Sequence, residues 1–294
     1  MAREPRNIGA SVRARLLDRA RTAKTDFQIL LTRYALERLL YRLSVSDLRE
    51  RFVLKGAMLF AIWRDDPFRP TRDLDLLGSG DTDPATIAAS IRSICSIAVP
   101  DDGVVFDVAG IEASPIRDDT EYGVRVRTNA TIAGARLPIQ IDIGFGDAIT
   151  PEAVEIVYPV LLDGPAPVLR AYPPETVVAE KVQAIVSLGV ANTRMKDFYD
   201  LWMIAQTFAF AGPVLRDAVQ RTFERRRTSW PEQTPAGLSD AFAGEKDTQW
   251  RAFLARDRLG AAPPTLIEVT EDLRAFLLPM PARKKLASWP PGGP

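Results

Sequence analysis

The sequence predicts an α+β fold: a mixed sheet with flanking helices comes first, and a helical domain follows. Three observations carry that expectation. Amphipathic helical stretches alternate with short β-rich runs at the start; four strand-like segments then succeed one another near 103–108, 110–116, 122–132 and 136–143; and from Pro173 onward the periodicity is helical. A helix–strand–helix–strand opening that passes into a meander argues for α+β rather than a doubly wound parallel sheet.

The elements follow in order. Residues 10–24 and 26–43 read as helices, the second with a broad apolar stripe that includes Leu30, Leu31, Tyr34 and Leu39 and with Thr25 or Asp26 as its cap. Phe52–Leu54 is a short strand, Gly56 turns the chain, Ala57–Trp63 is helical, and 64–70 is a loop broken by Pro67 and Pro70. Residues 71–77 form the next strand, ended by Gly78-Ser79-Gly80, and Asp83-Pro84 opens a helix to about Ile97, because proline suits a first helical turn. After the four strands, helices span 174–188, 193–209, 212–227, 238–257 and 265–278, and the proline-rich tail 279–294 is irregular. The domain boundary is placed within 159–174, giving domains 1–165 and 166–294.

Composition removes several classes of chemistry. The 294 residues are 46% apolar and 26% charged, which is globular protein with ample core. No histidine is present, so Ser-His-Asp triads, Cys-His nucleophiles and histidine-ligated zinc are excluded together. The single cysteine, Cys95, lies among isoleucines and reads as core. No apolar run reaches the roughly 18 residues of a membrane span, and the arginine-rich start is no secretory signal; a cytoplasmic protein is expected. Net charge is zero, but residues 1–24 carry +5 (seven basic, two acidic), residues 216–227 carry five arginines against two acids, and residues 100–121 carry −6 (one arginine, seven acids). That asymmetry permits an RNA partner.

Catalysis must therefore run on carboxylates, lysine, arginine and metal. The segment Arg69-Pro70-Thr71-Arg72-Asp73-Leu74-Asp75 supplies two acids two residues apart. On a strand, Thr71, Asp73 and Asp75 project to one face while Leu74 and Leu76 enter the core. Paired carboxylates aimed at one point suit a hard divalent cation. Lys55, the Gly56 turn, Arg69 and Thr71 add donors for phosphates, and together they point to metal-assisted phosphoryl or nucleotidyl transfer. On the strand 137–144, Asp142 lies on the polar face; placed beside 71–77 in one sheet, it would bind a second metal or accept a proton from an attacking hydroxyl, with Asp147 as the alternative. Lys181 falls in the apolar stripe of its helix with Val177, Ala184 and Leu188, either snorkelling or facing a polyphosphate. Asp197 and Asp200 share a face at the start of the next helix, after Lys196.

The motifs Leu31-Thr32-Arg33-Tyr34-Ala35-Leu36-Glu37-Arg38-Leu39-Leu40, Phe52-Val53-Leu54-Lys55-Gly56-Ala57, Arg69 to Asp75, and Lys196-Asp197-Phe198-Tyr199-Asp200-Leu201 resemble, in this order, the AbiEii/AbiGii toxin family of DNA polymerase β-like nucleotidyltransferases. The resemblance covers roughly residues 25–205. It implies a polymerase-β-like nucleotidyltransferase domain followed by a helical domain closing over the nucleotide. Gly56 and Ala57 would take the phosphate-binding turn, and Asp73 and Asp75 the metal-binding pair. Lys181 would match the lysine of the next motif, and Lys196, Asp197 and Asp200 the Lys-Asp-x-x-Asp motif. The implied cofactor is Mg²⁺ or Mn²⁺ and the substrate a nucleoside triphosphate. The implied partners are a cognate antitoxin and an RNA acceptor, with the tRNA 3′ end as the expected one. The wider association is abortive infection in phage defence. Ala57 stands where the superfamily often has glycine or serine, and it brings a backbone N–H but no hydroxyl. A small-molecule or protein hydroxyl as acceptor, or a module that binds nucleotide or antitoxin without turnover, are the alternative expectations.

Overall fold

A computed structural model describes residues 7–63, 69–117, 122–279 and 288–293. Residues 1–6 of the basic start, 64–68 of the expected loop, 118–121 of the acidic stretch and 280–287 of the tail, with Pro294, lie outside the described residues. The chain divides into two compact units, Met1–Gly146 with Val154–Ala171, and Asp147–Ala153 with Tyr172–Pro294.

In the first unit, α1 (Ile8–Thr22) and α2 (Phe27–Ser44) precede β1 (Phe52–Lys55), a 3₁₀ turn Gly56–Leu59 and the short α3 (Phe60–Trp63). Asp26 caps α2, its carboxylate accepting the Ile29 N–H at 3.0 Å. Then come β2 (Asp73–Gly78), α4 (Pro84–Cys95), β3 (Val105–Phe106), β4 (Glu112–Arg117), β5 (Tyr122–Ile132), β6 (Ala135–Phe145), β7 (Val154–Val157) and β8 (Val168–Ala171). Among the described residues these make one eight-stranded sheet in the order β3-β5-β6-β2-β1-β8-β7, with β4 also paired to β5. The pairs β2–β6 and β1–β8 are parallel and the others antiparallel, so the sheet is mixed.

Alternation on the central strands sorts the two faces. Leu54, Leu76, Ile143 and Val124 stand in one line across β1, β2, β6 and β5, and Leu74, Ile141 and Val126 in the next; all are buried. α2 and α4 cover this apolar face, and each such side chain taken from water contributes about 1.5–3 kcal/mol. The opposite face of the same strands carries the polar residues. Within α2, the buried Glu37 accepts from Arg38 and from the Leu161 N–H, both at 2.7 Å, and Arg38 donates to the Pro165 carbonyl. That network fastens the segment between β7 and β8 to the helix.

β7 and β8 are not foreseen by the sequence pattern. Both are four residues long, and β8 follows Pro165 and Pro167, which read as linker. Because β8 pairs with β1 through Leu54 and Ala171, the first unit extends to Ala171 instead of ending at 165.

The second unit contains α5 (Pro174–Leu188), α6 (Met195–Thr207), β9 (Phe210–Ala211), α7 (Gly212–Arg225), α8 (Asp240–Asp257), α9 (Leu266–Leu277) and β10 (Ser288–Trp289), which pairs with β9. Its core is aromatic, with Phe198 stacked on Phe242 and Tyr199 against Trp250 and Phe253. The short segment Asp147–Ala153 joins this unit through Thr150, whose N–H donates to the Thr176 hydroxyl while its carbonyl accepts from it, both at 2.9 Å.

Candidate active site

β2 places Asp73 and Asp75 on the polar face, because Leu74 and Leu76 are each 1% exposed on the other. Register then adds neighbours on both sides. Asp75 pairs with Lys55 of β1 and with Asp142 of β6, and Asp142 pairs with Arg125 of β5, which pairs with Ser114 of β4. Lys55, Asp75, Asp142, Arg125 and Ser114 thus form one line across five strands, at the roughly 4.8 Å strand spacing. A second line runs Asp73, Gln140, Arg127, Glu112. Two like charges directly opposed on a sheet are unfavourable; here the two acids lie between a lysine and an arginine.

The chain turns immediately beside this line. Gly56 has φ of +73°, and a Cβ built on it would overlap the Asp75 carboxylate, falling within 2.6 Å of its Cγ. Glycine is needed there twice over, for the left-handed backbone and for the close approach of the acid. Ala57 is buried, and the turn Gly56–Leu59 has no side-chain cap on its N–H groups. Thr71 does not lie on the strand, which begins at Asp73. Its hydroxyl instead donates to the Asp73 carbonyl at 3.2 Å and accepts the Asp73 N–H at 3.4 Å, fixing the strand's first residue. Arg69 precedes it, with Nη1 directed to the Pro70 carbonyl at 3.4 Å.

Asp142 is engaged. Arg125 donates to both its oxygens, Nε to Oδ1 at 2.7 Å and Nη2 to Oδ2 at 2.6 Å, and Gln140 adds a donor to Oδ2 at 3.3 Å. The bond to Asp142, helped by the fields of Asp73 and Asp75 and opposed by partial burial, raises the Arg125 guanidinium above its ordinary pKa. The expectation that Asp142 takes a metal or a proton thus meets a carboxylate already held by a guanidinium. Among the described residues no group of three or more acids, histidines or cysteines is gathered to hold a metal ion. Asp73 and Asp75, hard oxygen donors on one strand face, fit a divalent cation as a pair.

Arg125 was missed by sequence reasoning, although a signal existed. Ala133 and Gly134 both have positive φ and form the two-residue turn between β5 and β6. Counting back from that turn pairs residue 125 with residue 142.

The remaining predicted residues lie in the second unit. Lys181 on α5 donates to Asp197 Oδ1 at 2.8 Å and to Asp200 Oδ2 at 2.9 Å, both on α6. The three side chains are 15%, 10% and 1% exposed, so one lysine and two acids form a buried ion cluster. Lys196 is exposed and points away from the buried face that holds Asp197. Asp147, the alternative to Asp142, accepts from Arg226 Nη2 at 3.1 Å, and Arg226 also binds Gln183 and Glu180. Among the arginines of 216–227, Arg226 is therefore interior, with 7% side-chain exposure.

Among the solved structures to which this chain is similar are two from Helicobacter pylori. The crystal structure of JHP933 from Helicobacter pylori aligns with a TM-score of 0.48 at 15% identity, covering 88% of this chain and 94% of that one. A second H. pylori crystal structure, whose protein is provisionally described as a nucleotidyltransferase, aligns with a TM-score of 0.49 at 15% identity, covering 88% of this chain and 97% of that one. No protein with a curated description matches this sequence. Among the described residues no helix is long and apolar enough to cross a membrane. Residues 38–277 match the family described as "Nucleotidyl transferase AbiEii toxin, Type IV TA system". With most of its length inside that match, and with Gly56, Asp73 and Asp75 brought to one corner of a mixed sheet, the chain belongs to the AbiEii family of nucleotidyltransferase toxins from type IV toxin–antitoxin systems.

Proposed function

We propose that this nucleotidyltransferase transfers a nucleoside monophosphate from a nucleoside triphosphate to the 3′-hydroxyl of an RNA, with tRNA as the acceptor and an antitoxin as its counterpart. The observation that carries the reading is the Asp73–Asp75 pair on one strand face, with Gly56 packed against Asp75. The two carboxylates would hold Mg²⁺ or Mn²⁺, which when bound polarises the α-phosphate and offsets charge on the departing pyrophosphate. Lys55, in register with Asp75, and Arg69, just ahead of β2, would supply cations to the phosphates. The RNA hydroxyl oxygen bonds to the α-phosphorus and gives up its proton to solvent water, while the α–β phosphoanhydride bond breaks and pyrophosphate leaves with the bonding electron pair. Thr71 acts on the backbone of Asp73, so its part is to position that acid. Lys181, Asp197 and Asp200, matched to the family's motifs by resemblance, would contribute as the ion cluster they form in the second unit.

The test incubates the protein with each α-labelled nucleoside triphosphate, Mg²⁺ and total tRNA, beside Asp75→Asn and Asp200→Asn. Label should enter tRNA with the parent chain and fall by about 10²- to 10³-fold with Asp75→Asn, the scale of losing one charge-stabilising group at a reacting centre. Label on a small molecule or on protein would move the acceptor to those classes. Undiminished transfer by folded Asp75→Asn would remove the acid from the site.

A further inference from the structure

The pairing of Arg125 with Asp142 has the geometry of a fork on a carboxylate, two nearly parallel N–H···O bonds of 2.7 and 2.6 Å. Both side chains are partly open to solvent, 33% and 20% exposed, so the pair borders the polar face and is not sealed in the core. Val124 and Val126 are fully buried on either side of Arg125, which fixes its strand and its direction. Asp73 and Asp75 both act on its charge.

A cation ligated by Asp142 as well as by Asp73 and Asp75 would sit against this guanidinium, like charge to like charge. Two of the guanidinium's five N–H donors are spent on Asp142, and three remain. Because Asp142 already orients the fork, little further side-chain freedom is lost when those donors meet an anion.

Resting on the nucleotidyltransferase reading above, we propose that Asp142 is the anchor of Arg125 and not a third metal ligand, and that Arg125 is a binding residue for the triphosphate beside Asp73 and Asp75. Asp142 is then a positioning residue that acts through Arg125.

The experiment measures Mn²⁺ binding by the loss of the free-ion electron paramagnetic resonance signal. Calorimetry measures binding of an α,β-methylene nucleoside triphosphate in the presence of Mn²⁺. Each is run on the parent chain, Asp75→Asn, Asp142→Asn, Arg125→Ala, Arg125→Lys and the Arg125→Ala/Asp142→Asn double variant, with circular dichroism and melting to confirm folding. Asp75→Asn should lose Mn²⁺, while Asp142→Asn and Arg125→Ala keep it. Arg125→Ala should weaken the analogue about 10- to 100-fold, the worth of a charge-assisted contact, and Arg125→Lys should restore part of that. The double variant should bind the analogue no more weakly than Arg125→Ala alone, since Asp142 has nothing left to position. Loss of Mn²⁺ by Asp142→Asn to the degree seen for Asp75→Asn, or additive losses in the double variant, would overturn the proposal and leave the nucleotidyltransferase reading standing. A parent chain that binds neither Mn²⁺ nor analogue would sink both.

Discussion

At the scale of single residues, Gly56 and Asp75 form one feature. The left-handed φ of +73° excludes most side chains, and the Asp75 carboxylate fills the space a Cβ would need. Gly80 supplies the comparison, because its φ is +82° and nothing lies within 4 Å of the Cβ it would carry. Gly80→Ala should therefore cost only the backbone strain, on the order of 1 kcal/mol, and leave transfer intact. Gly56→Ala should cost more, about 2–4 kcal/mol, by adding displacement of the acid to the same strain. Its transfer activity should fall out of proportion to its stability. Urea melts of both variants, with transfer rates beside them, check this; equal losses in the two would mean that Asp75 tolerates the shift. Asp73 and Asp75 were legible in the sequence because alternation sets which face a strand residue occupies, and Gly56 because glycine marks a turn, whereas Thr71, read by the same alternation, lies before the strand begins. Arg125 was less so, since its role exists only after the β5–β6 register is fixed.

At the scale of elements, the long and locally signalled ones are where the sequence puts them. α5 runs Pro174–Leu188 as read, and α4 begins at Pro84 with Asp83 accepting the Thr86 N–H at 3.1 Å. Strands β7 and β8 escaped because pairing with distant partners, rather than their own four residues, makes them strands. α4 also fixes the chemistry of Cys95. That residue sits in the last turn with 7% exposure, and burial pushes its thiol up to about 12. At mildly alkaline pH almost none is thiolate, the reactive form. Ellman's reagent should leave the native chain unmodified and titrate one thiol per chain once guanidinium unfolds it. Rapid native reaction would show that the end of α4 opens.

At the scale of the whole molecule, net neutrality conceals arginines with opposite duties. The stretch 216–227 carries five arginines whose charge permits an RNA partner or a solvated, ion-paired helix face, and its members divide. Arg221 is exposed and pairs with Asp217 at i, i+4 on α7, whereas Arg226 is interior, bound to Asp147, Glu180 and Gln183. Asp147 belongs to the short segment Asp147–Ala153, which the chain contributes to the second unit before returning to β7 and β8 in the first. Arg226, with the Thr150–Thr176 pair, therefore ties a sequence-distant excursion into the helical unit. No local pattern announces that duty, because three adjacent arginines look alike until their partners arrive from elsewhere in the chain. Arg226→Ala should remove a cation that Asp147 and Glu180 share and cost about 1.5–3 kcal/mol, the worth of hydrogen bonds between charged groups. That corresponds to a fall in melting temperature on the order of 10 °C for a unit of this size. Arg221→Ala should stay within about 0.5 kcal/mol of the parent, as exposed pairs do, and any loss of RNA affinity it brings should shrink as salt rises. Differential scanning calorimetry of the two variants decides the assignment: if Arg226→Ala melts with the parent chain, the interior network is not what holds Asp147–Ala153 in its unit.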